Sequence, residues 1–219
     1  SPAMRGRRTH AERLALALSE QADRAFQSIE LINQSITDSL RERGVEDKKD
    51  LTRFAAAPEL TRRLRDWVAG LPQIETIGLY DRSGHLVLDV VDGDRPRPPL
   101  PQGWLSGPAA LEGRDRITSD PSGGPAGQGR RIWIGRRILG TQGDLLGFVL
   151  VAMPISYFED FYAKLATLPG MAIALIHQDE PLAEVWRRTA DGWPKVPEFF
   201  HGEIVRGSSV TLLGSVRLE

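Results

Sequence analysis

The sequence predicts an α+β fold in which antiparallel sheets are carried by one long N-terminal helix, and three observations predict it. A stretch from about Thr9 to Arg43 contains neither Pro nor Gly and repeats apolar residues at helical spacing. Two β-rich runs flank the turn sequence Asp81-Arg82-Ser83-Gly84, and two more flank Gly140-Thr141-Gln142-Gly143-Asp144. Strands joined by such short turns pair antiparallel, because a parallel pair needs a long crossover.

The helix is read from Leu14, Leu18, Ala22, Ala25, Ile29, Ile32, Ile36 and Leu40, whose steps of three and four lay one apolar stripe on one face. At 1.5 Å per residue, such a stretch makes a rod of roughly 50 Å, longer than an ordinary globular helix. Gly44 ends it, and Arg41 and Arg43 suit the negative end of its dipole. A second helix, with Asp50 as the expected N-cap, runs through Leu51, Phe54, Leu60, Leu64 and Trp67 and breaks at Pro58. Ile74 to Tyr80 and His85 to Val91 then form the first hairpin. Residues 92–129 are rich in Pro and Gly and lose periodicity, which predicts a long loop with at most a short helix near Trp104 to Leu111. Arg130 to Leu139 and Leu145 to Pro154 form the second hairpin; Ile132, Ile134 and Ile138 share one face, and Arg131, Trp133 and Arg137 share the other. Ile155 to Leu168 reads as a short amphipathic helix. A new strand pair follows, 171–176 and 182–188, then a helix over 197–205 and a last strand over 209–218. The pattern of the first sheet restarts there and stops before four or five strands are complete.

With 219 residues, 41% of them hydrophobic, the chain can bury a real core in one or two domains. A formal charge of -1 provides no global field for nucleic acid. The absence of cysteine removes disulfides, thiolate metal sites and cysteine nucleophiles together. No apolar run reaches the length that spans a bilayer. Ser1-Pro2-Ala3-Met4 is read as a cloning remnant, with membrane segments expected outside the chain.

Leu71-Pro72-x-Ile74-x-x-Ile77-Gly78-Leu79-Tyr80-Asp81-x-x-Gly84, then Ile132-Trp133-Ile134-Gly135-Arg136-Arg137-Ile138, Gly143 to Val149, and Ile155-Ser156-Tyr157-Phe158-x-x-Phe161-Tyr162 together resemble the double Cache sensor domains. These are extracytoplasmic, PAS-like ligand-binding regions of bacterial membrane receptors such as diguanylate cyclases, histidine kinases and chemoreceptors. The resemblance implies a stalk helix over 9–49, a membrane-distal module over 50–167, and a membrane-proximal module over 168–219 that is partial. It also implies a periplasmic location, anchoring through segments outside this chain, and a small-molecule ligand held by the distal module. The signature with which amino-acid-binding members hold ammonium and carboxylate groups is not recognisable here.

The expected ligand-binding residues are Arg131, Trp133 and Arg137, with Tyr80, Trp104, Ser119 and Asp120 behind them. An Arg offers a fixed fork of donors to an anion, and an aromatic beside it offers an apolar floor. The bland alternative pairs these arginines with Asp115 or Asp120. Tyr157, Phe158, Phe161 and Tyr162 have helical spacing and are expected in a core. Four scattered histidines give no metal motif, the glycine-rich 123–129 segment lacks a phosphate-loop Lys, and no catalytic residue, metal or cofactor is expected. Arg5-Arg7-Arg8 and Arg62-Arg63-Arg65 are read as helix-surface charges.

The function expected is ligand sensing without catalysis: the loop closes over the sheet, displaces the long helix and so reaches a cytoplasmic output. The stripe's spacing also allows a parallel homodimer, in competition with packing on the chain's own sheets. Two alternatives stand beside this reading: a small enzyme with its site in the loop, and a structural interaction module with no ligand.

Overall fold

The computed structural model describes residues 2–91, 100, 103, 116–119, 129–165, 172–177, 180–186, 204–206 and 211–213, with side chains for 13–91, 100, 103, 117–119, 129–165, 173 and 175. The order is α1 (Pro2–Glu42), α2 (Lys48–Ala55), α3 (Pro58–Gly70), β1 (Thr76–Asp81), β2 (Leu86–Val91), β3 (Arg116–Thr118), β4 (Arg131–Leu139), β5 (Leu145–Pro154), α4 (Ser156–Leu165), β6 (Ala172–His177), β7 (Glu180–Trp186), β8 (Ile204–Arg206) and β9 (Thr211–Leu213). Contacts divide the chain into two units, Gln27–Pro154 and a second made of Ser1–Phe26 with Ile155–Glu219.

Helix α1 begins at Pro2, seven residues before the expected start at Thr9. Gly6 is tolerated because one helical glycine costs only about 1 kcal/mol. Its C-terminus closes as a Schellman motif: Val45 N–H donates to Leu40 O, Gly44 N–H donates to Arg41 O, and Gly44 takes φ 63°. The N-cap of α2 is Asp47 rather than Asp50. Asp47 accepts from Asp50 N–H at 2.8 Å, and the Asp50 carboxylate accepts from Glu46 N–H at 3.3 Å. Either aspartate fits the local sequence; the helix starts at Lys48 because the Asp47 carboxylate takes the otherwise orphaned N–H of Asp50 in the first turn. Pro58 opens α3 at its first position, where its missing N–H costs nothing.

In the unit Gln27–Pro154 the five strands pair antiparallel in the order β2-β1-β5-β4-β3. Ile77, Leu79, Val90, Ile132, Ile134, Ile138, Val149, Val151 and Met153 are buried on one side of this sheet. Ile29, Ile32, Ile36 and Leu40 of α1 are buried as well, and Asn33 donates from Nδ2 to Ile134 O at 3.3 Å. The stripe of α1 is therefore occupied by the chain itself from Leu18 to Leu40 and is not available there as a coiled-coil seam; among the described side chains of α1 the exposed large apolar ones are Leu16 and Leu31. Within the expected loop 92–129, Arg116–Thr118 is instead an edge strand, too short for alternation to reveal it. The short helix expected near Trp104 lies outside the described residues.

In the other unit, α4 lies against β7, and the strands pair as β7-β6-β9-β8. Phe26 stacks on Phe158 with centroids 5.9 Å apart, and Phe158 also meets Tyr157 and Tyr162. Phe158 and Tyr162 are buried core, as their helical spacing predicts, while Phe26, Tyr157 and Phe161 are half-buried at its edge. Burial holds the Tyr162 hydroxyl in its neutral form, with its pKa pushed well up by desolvation and by the neighbouring Tyr157. Ile204-Val205 is not the end of a helix: it is a strand paired with Thr211–Leu213, in keeping with β-branched residues on both sides of a short connection. The second sheet so reaches four strands.

Candidate functional site

The side of the first sheet away from α1 is ordered by register into three rows. Val91, Thr76, Ala152 and Trp133 form one, next to Ser119. Asp89, Gly78, Leu150, Gly135 and Ile117 form the second. Leu86, Tyr80, Phe148 and Arg137 form the third. Partners across antiparallel strands share a face, so these side chains all project to one side.

Tyr80, Ile117, Trp133, Phe148, Leu150 and Ala152 make a buried cluster, and Leu100 from the connection after β2 packs against it. Trp133 has no exposed surface at all. Its backbone is fixed from both directions: Trp133 N–H donates to Ser119 Oγ at 3.0 Å, and Ser119 N–H donates to Trp133 O at 2.9 Å. Its indole Nε1–H, by contrast, is buried with no acceptor among the described residues. Burying such a donor unpaired costs about 1–3 kcal/mol, so it is a feature that needs a partner.

Two glycines shape the floor. A Cβ on Gly78 would stand 2.7 Å from Tyr80 Cε2, so the tyrosine ring lies over that glycine. A Cβ on Gly135 would meet Leu150 Cδ2 and would stand 2.9 Å from Val149 O and 3.1 Å from Ile117 Cγ1. The sequence places glycine where ring and leucine lie flat on the sheet.

Of the residues predicted to bind a ligand, Tyr80 and Trp133 share the buried cluster, Ser119 bonds the Trp133 backbone, and Arg131 and Arg137 lie on the same side towards opposite ends of β4. Trp104 and Asp120 lie outside the described residues. Arg131 is held elsewhere than at Asp115 or Asp120: its Nε donates to Glu75 Oε2 at 2.8 Å and its Nη2 to Oε1 at 3.3 Å, with both side chains largely buried. This fork-to-fork pair occupies two of the donors that a ligand anion would use. Arg137, partly buried in the row of Tyr80 and Phe148, is the other cation of β4 on this face. Sequence reasoning missed Phe148, Leu150 and Ala152, whose period-two spacing in β5 was the available signal. It also missed Glu75, for which no local signal exists.

At the end of the sheet, Asp81 anchors the first hairpin. Its Oδ1 accepts from Ser83 N–H at 2.9 Å and His85 N–H at 3.0 Å, and its Oδ2 lies 2.8 Å from Lys48 Nζ. Burial by itself disfavours the charge; the Lys48 and backbone hydrogen bonds, with the Lys48 charge, outweigh it and hold the carboxyl below the usual range. Among the described residues no group of three His, Cys, Asp or Glu could hold a metal, and no helix is long and apolar enough to cross a membrane.

No family model matches the chain, and no curated protein matches it in sequence. Solved structures match in fold. The extracellular domain of rpHK1S-Z16, described as a histidine kinase, superposes with a TM-score of 0.65 at 23% identity over 84% of this chain and 73% of that one. The periplasmic sensory domain of the Campylobacter jejuni chemoreceptor Tlp1 gives 0.64 at 11% identity over 83% and 73%. The ligand-binding domain of the Pseudomonas aeruginosa amino-acid chemoreceptor PctC, in complex with GABA, gives 0.56 at 12% over 80% and 74%. A five-stranded antiparallel sheet with α1 along one side and an aromatic cluster on the other is the fold that this chain shares with these extracellular and periplasmic sensory domains.

Proposed function

We propose that this chain is the extracytoplasmic ligand-sensing region of a transmembrane signalling receptor, and that it holds a small molecule against the Tyr80–Trp133–Arg137 face of the first sheet. The observation that carries this reading is the buried indole N–H of Trp133 on that face, which has no acceptor among the described residues. A ligand carbonyl or carboxylate supplies the acceptor it lacks, while Tyr80 and Phe148 supply apolar contact and Arg137 a charge for an anionic group. The related folds include a domain in complex with GABA and one with asparagine, which supports a small polar ligand of amino-acid size.

A route from site to helix follows from one bond. Asn33 of α1 is buried and hydrogen-bonded to Ile134 O, and Ile134 sits between Trp133 and Gly135 of the binding face. A ligand that favours one position of β4 shifts α1 only by its differential affinity for the two positions. Closure of the segment between β2 and β3 over the face is part of the same proposal, as are membrane anchoring and the division into a stalk (9–49), a distal module (50–167) and a proximal module (168–219). A homodimer would use the exposed side of α1, where Leu16 and Leu31 stand. The region is read as non-catalytic, in keeping with the sensory domains whose fold it shares.

The test is a thermal-shift screen over organic acids, amino acids and small amines. A ligand at 100 times its dissociation constant adds about 2.7 kcal/mol of stability. A hit whose effect disappears in Arg137→Gln supports the reading; a screen in which no hit loses its effect in Arg137→Gln or Tyr80→Ala counts against it.

A further inference from the structure

The Arg62-Arg63-Arg65 run is more than surface charge, because one of its members turns inward. Where the end of α1 meets α2 and α3 there is a cleft of about 430 Å³ with Phe54, Ala57 and Leu60 as apolar wall and Arg43, Arg62 and Arg63 among its lining. This volume falls within the range of small-molecule sites. Arg63 is partly buried, stacks over the Trp67 ring at 5.3 Å, and donates from Nη2 to Ser39 Oγ at 3.2 Å. Its Nε is buried without an acceptor among the described residues. Arg43 stacks over Phe54 at 5.6 Å. Both guanidinium groups are thus oriented by aromatic rings instead of by carboxylates.

Glu42, Glu59 and Asp66 also line the cleft, but all three are solvent-exposed, and none forms an ion pair with Arg43, Arg62 or Arg63. Three positive and three negative groups leave the lining neutral overall, so it offers no field for a polyanion, and what it presents is the planar donor forks of Arg43 and Arg63, a match to carboxylate or phosphate oxygens.

We propose that this helical cleft is a second small-molecule site, taking a single carboxylate or phosphate group between Arg43 and Arg63. It is independent of the sheet-face site, and its lining shares no residue with it. Stacking prepays the ordering of both arginines, which otherwise opposes binding by long side chains. The arrangement gives the receptor a place for a second input, or for a second part of a larger ligand's chemistry, at the junction where α1 ends.

The test titrates the whole chain with inorganic phosphate and, separately, with succinate, read by calorimetry and by 1H–15N NMR. Saturable binding of one probe is expected, with shifts centred on residues 39–66. The dissociation constant should rise roughly tenfold or more in Arg63→Gln and in Arg43→Gln. Arg43 is exposed, so its variant keeps the fold even if the Arg63 variant does not. Arg137→Gln should bind as the parent does. Phosphate alone binding assigns a phosphate group, and succinate alone assigns a carboxylate. The proposal is overturned if neither probe saturates by about 10 mM, if binding survives in both cleft variants, or if it is lost only in Arg137→Gln.

Discussion

Removing Glu75 should destabilise the unit Gln27–Pro154 far more than a surface ion pair would. Arg131 retains 6% side-chain exposure and Glu75 14%, and the two meet through Nε–Oε2 at 2.8 Å and Nη2–Oε1 at 3.3 Å. In Glu75→Ala the guanidinium stays buried without its counter-charge, a situation that typically costs about 3–5 kcal/mol. The residual exposure lets some water reach the carboxylate side, so we expect about 3 kcal/mol, at the lower end. The double variant Glu75→Leu with Arg131→Met replaces both charges by apolar volume and should fall within about 1 kcal/mol of the parent. The assay is urea unfolding followed by circular dichroism and tryptophan fluorescence, with the coupling energy taken from the double-mutant cycle. A loss below about 1 kcal/mol in Glu75→Ala would refute the reasoning and return Arg131 to the ligand site.

Three further outcomes follow from the same geometry. Gly135→Val should cost about 1–3 kcal/mol, seen as a lower urea midpoint, because its side chain meets Leu150, Val149 O and Ile117. Asp81→Asn should flatten the acid limb of stability: the folded carboxyl titrates below its unfolded value of about 3.9, so its contribution is complete above that pH and is lost as pH falls through the lower folded pKa. The check is the difference between parent and variant urea midpoints from roughly pH 5 to pH 2. Asn33→Ala should cost about 1–2 kcal/mol through the lost bond to Ile134 O and, in a full-length receptor, leave ligand affinity intact while weakening the output response.

Much of this fold was legible because its signals are local. Gly84 and Gly143 take φ 81° and 82°, so one glycine of each hairpin turn stands where a positive φ is required. Pro58 separates α2 from α3 by removing a donor and fixing φ. The stripe of α1 marked its buried face, although not what would cover it: seam and sheet demand the same spacing. Other features depend on contacts across long sequence separations. Glu75 and Arg131 lie 56 positions apart, and nothing in either neighbourhood announces the pair. Tyr80 over Gly78 was hidden for a different reason, since period-two patterning gives a face but not a ring's direction. The inward turn of Arg63 had a usable signal, Trp67 at the i+4 position. Strands β3 and β8, three residues each, are too short for any period to show.

The central claim, that a small molecule is held on the Trp133 face, is tested most directly by the indole Nε1–H resonance of Trp133 in 1H–15N spectra during titration with a thermal-shift hit. A saturable downfield shift of that proton, absent in Arg137→Gln at the same ligand concentration, is the result expected for an indole that gains an acceptor. A hit whose stabilisation survives in Arg43→Gln and Arg63→Gln, and so is not held in the helical cleft, yet leaves the Trp133 indole unmoved would contradict the account.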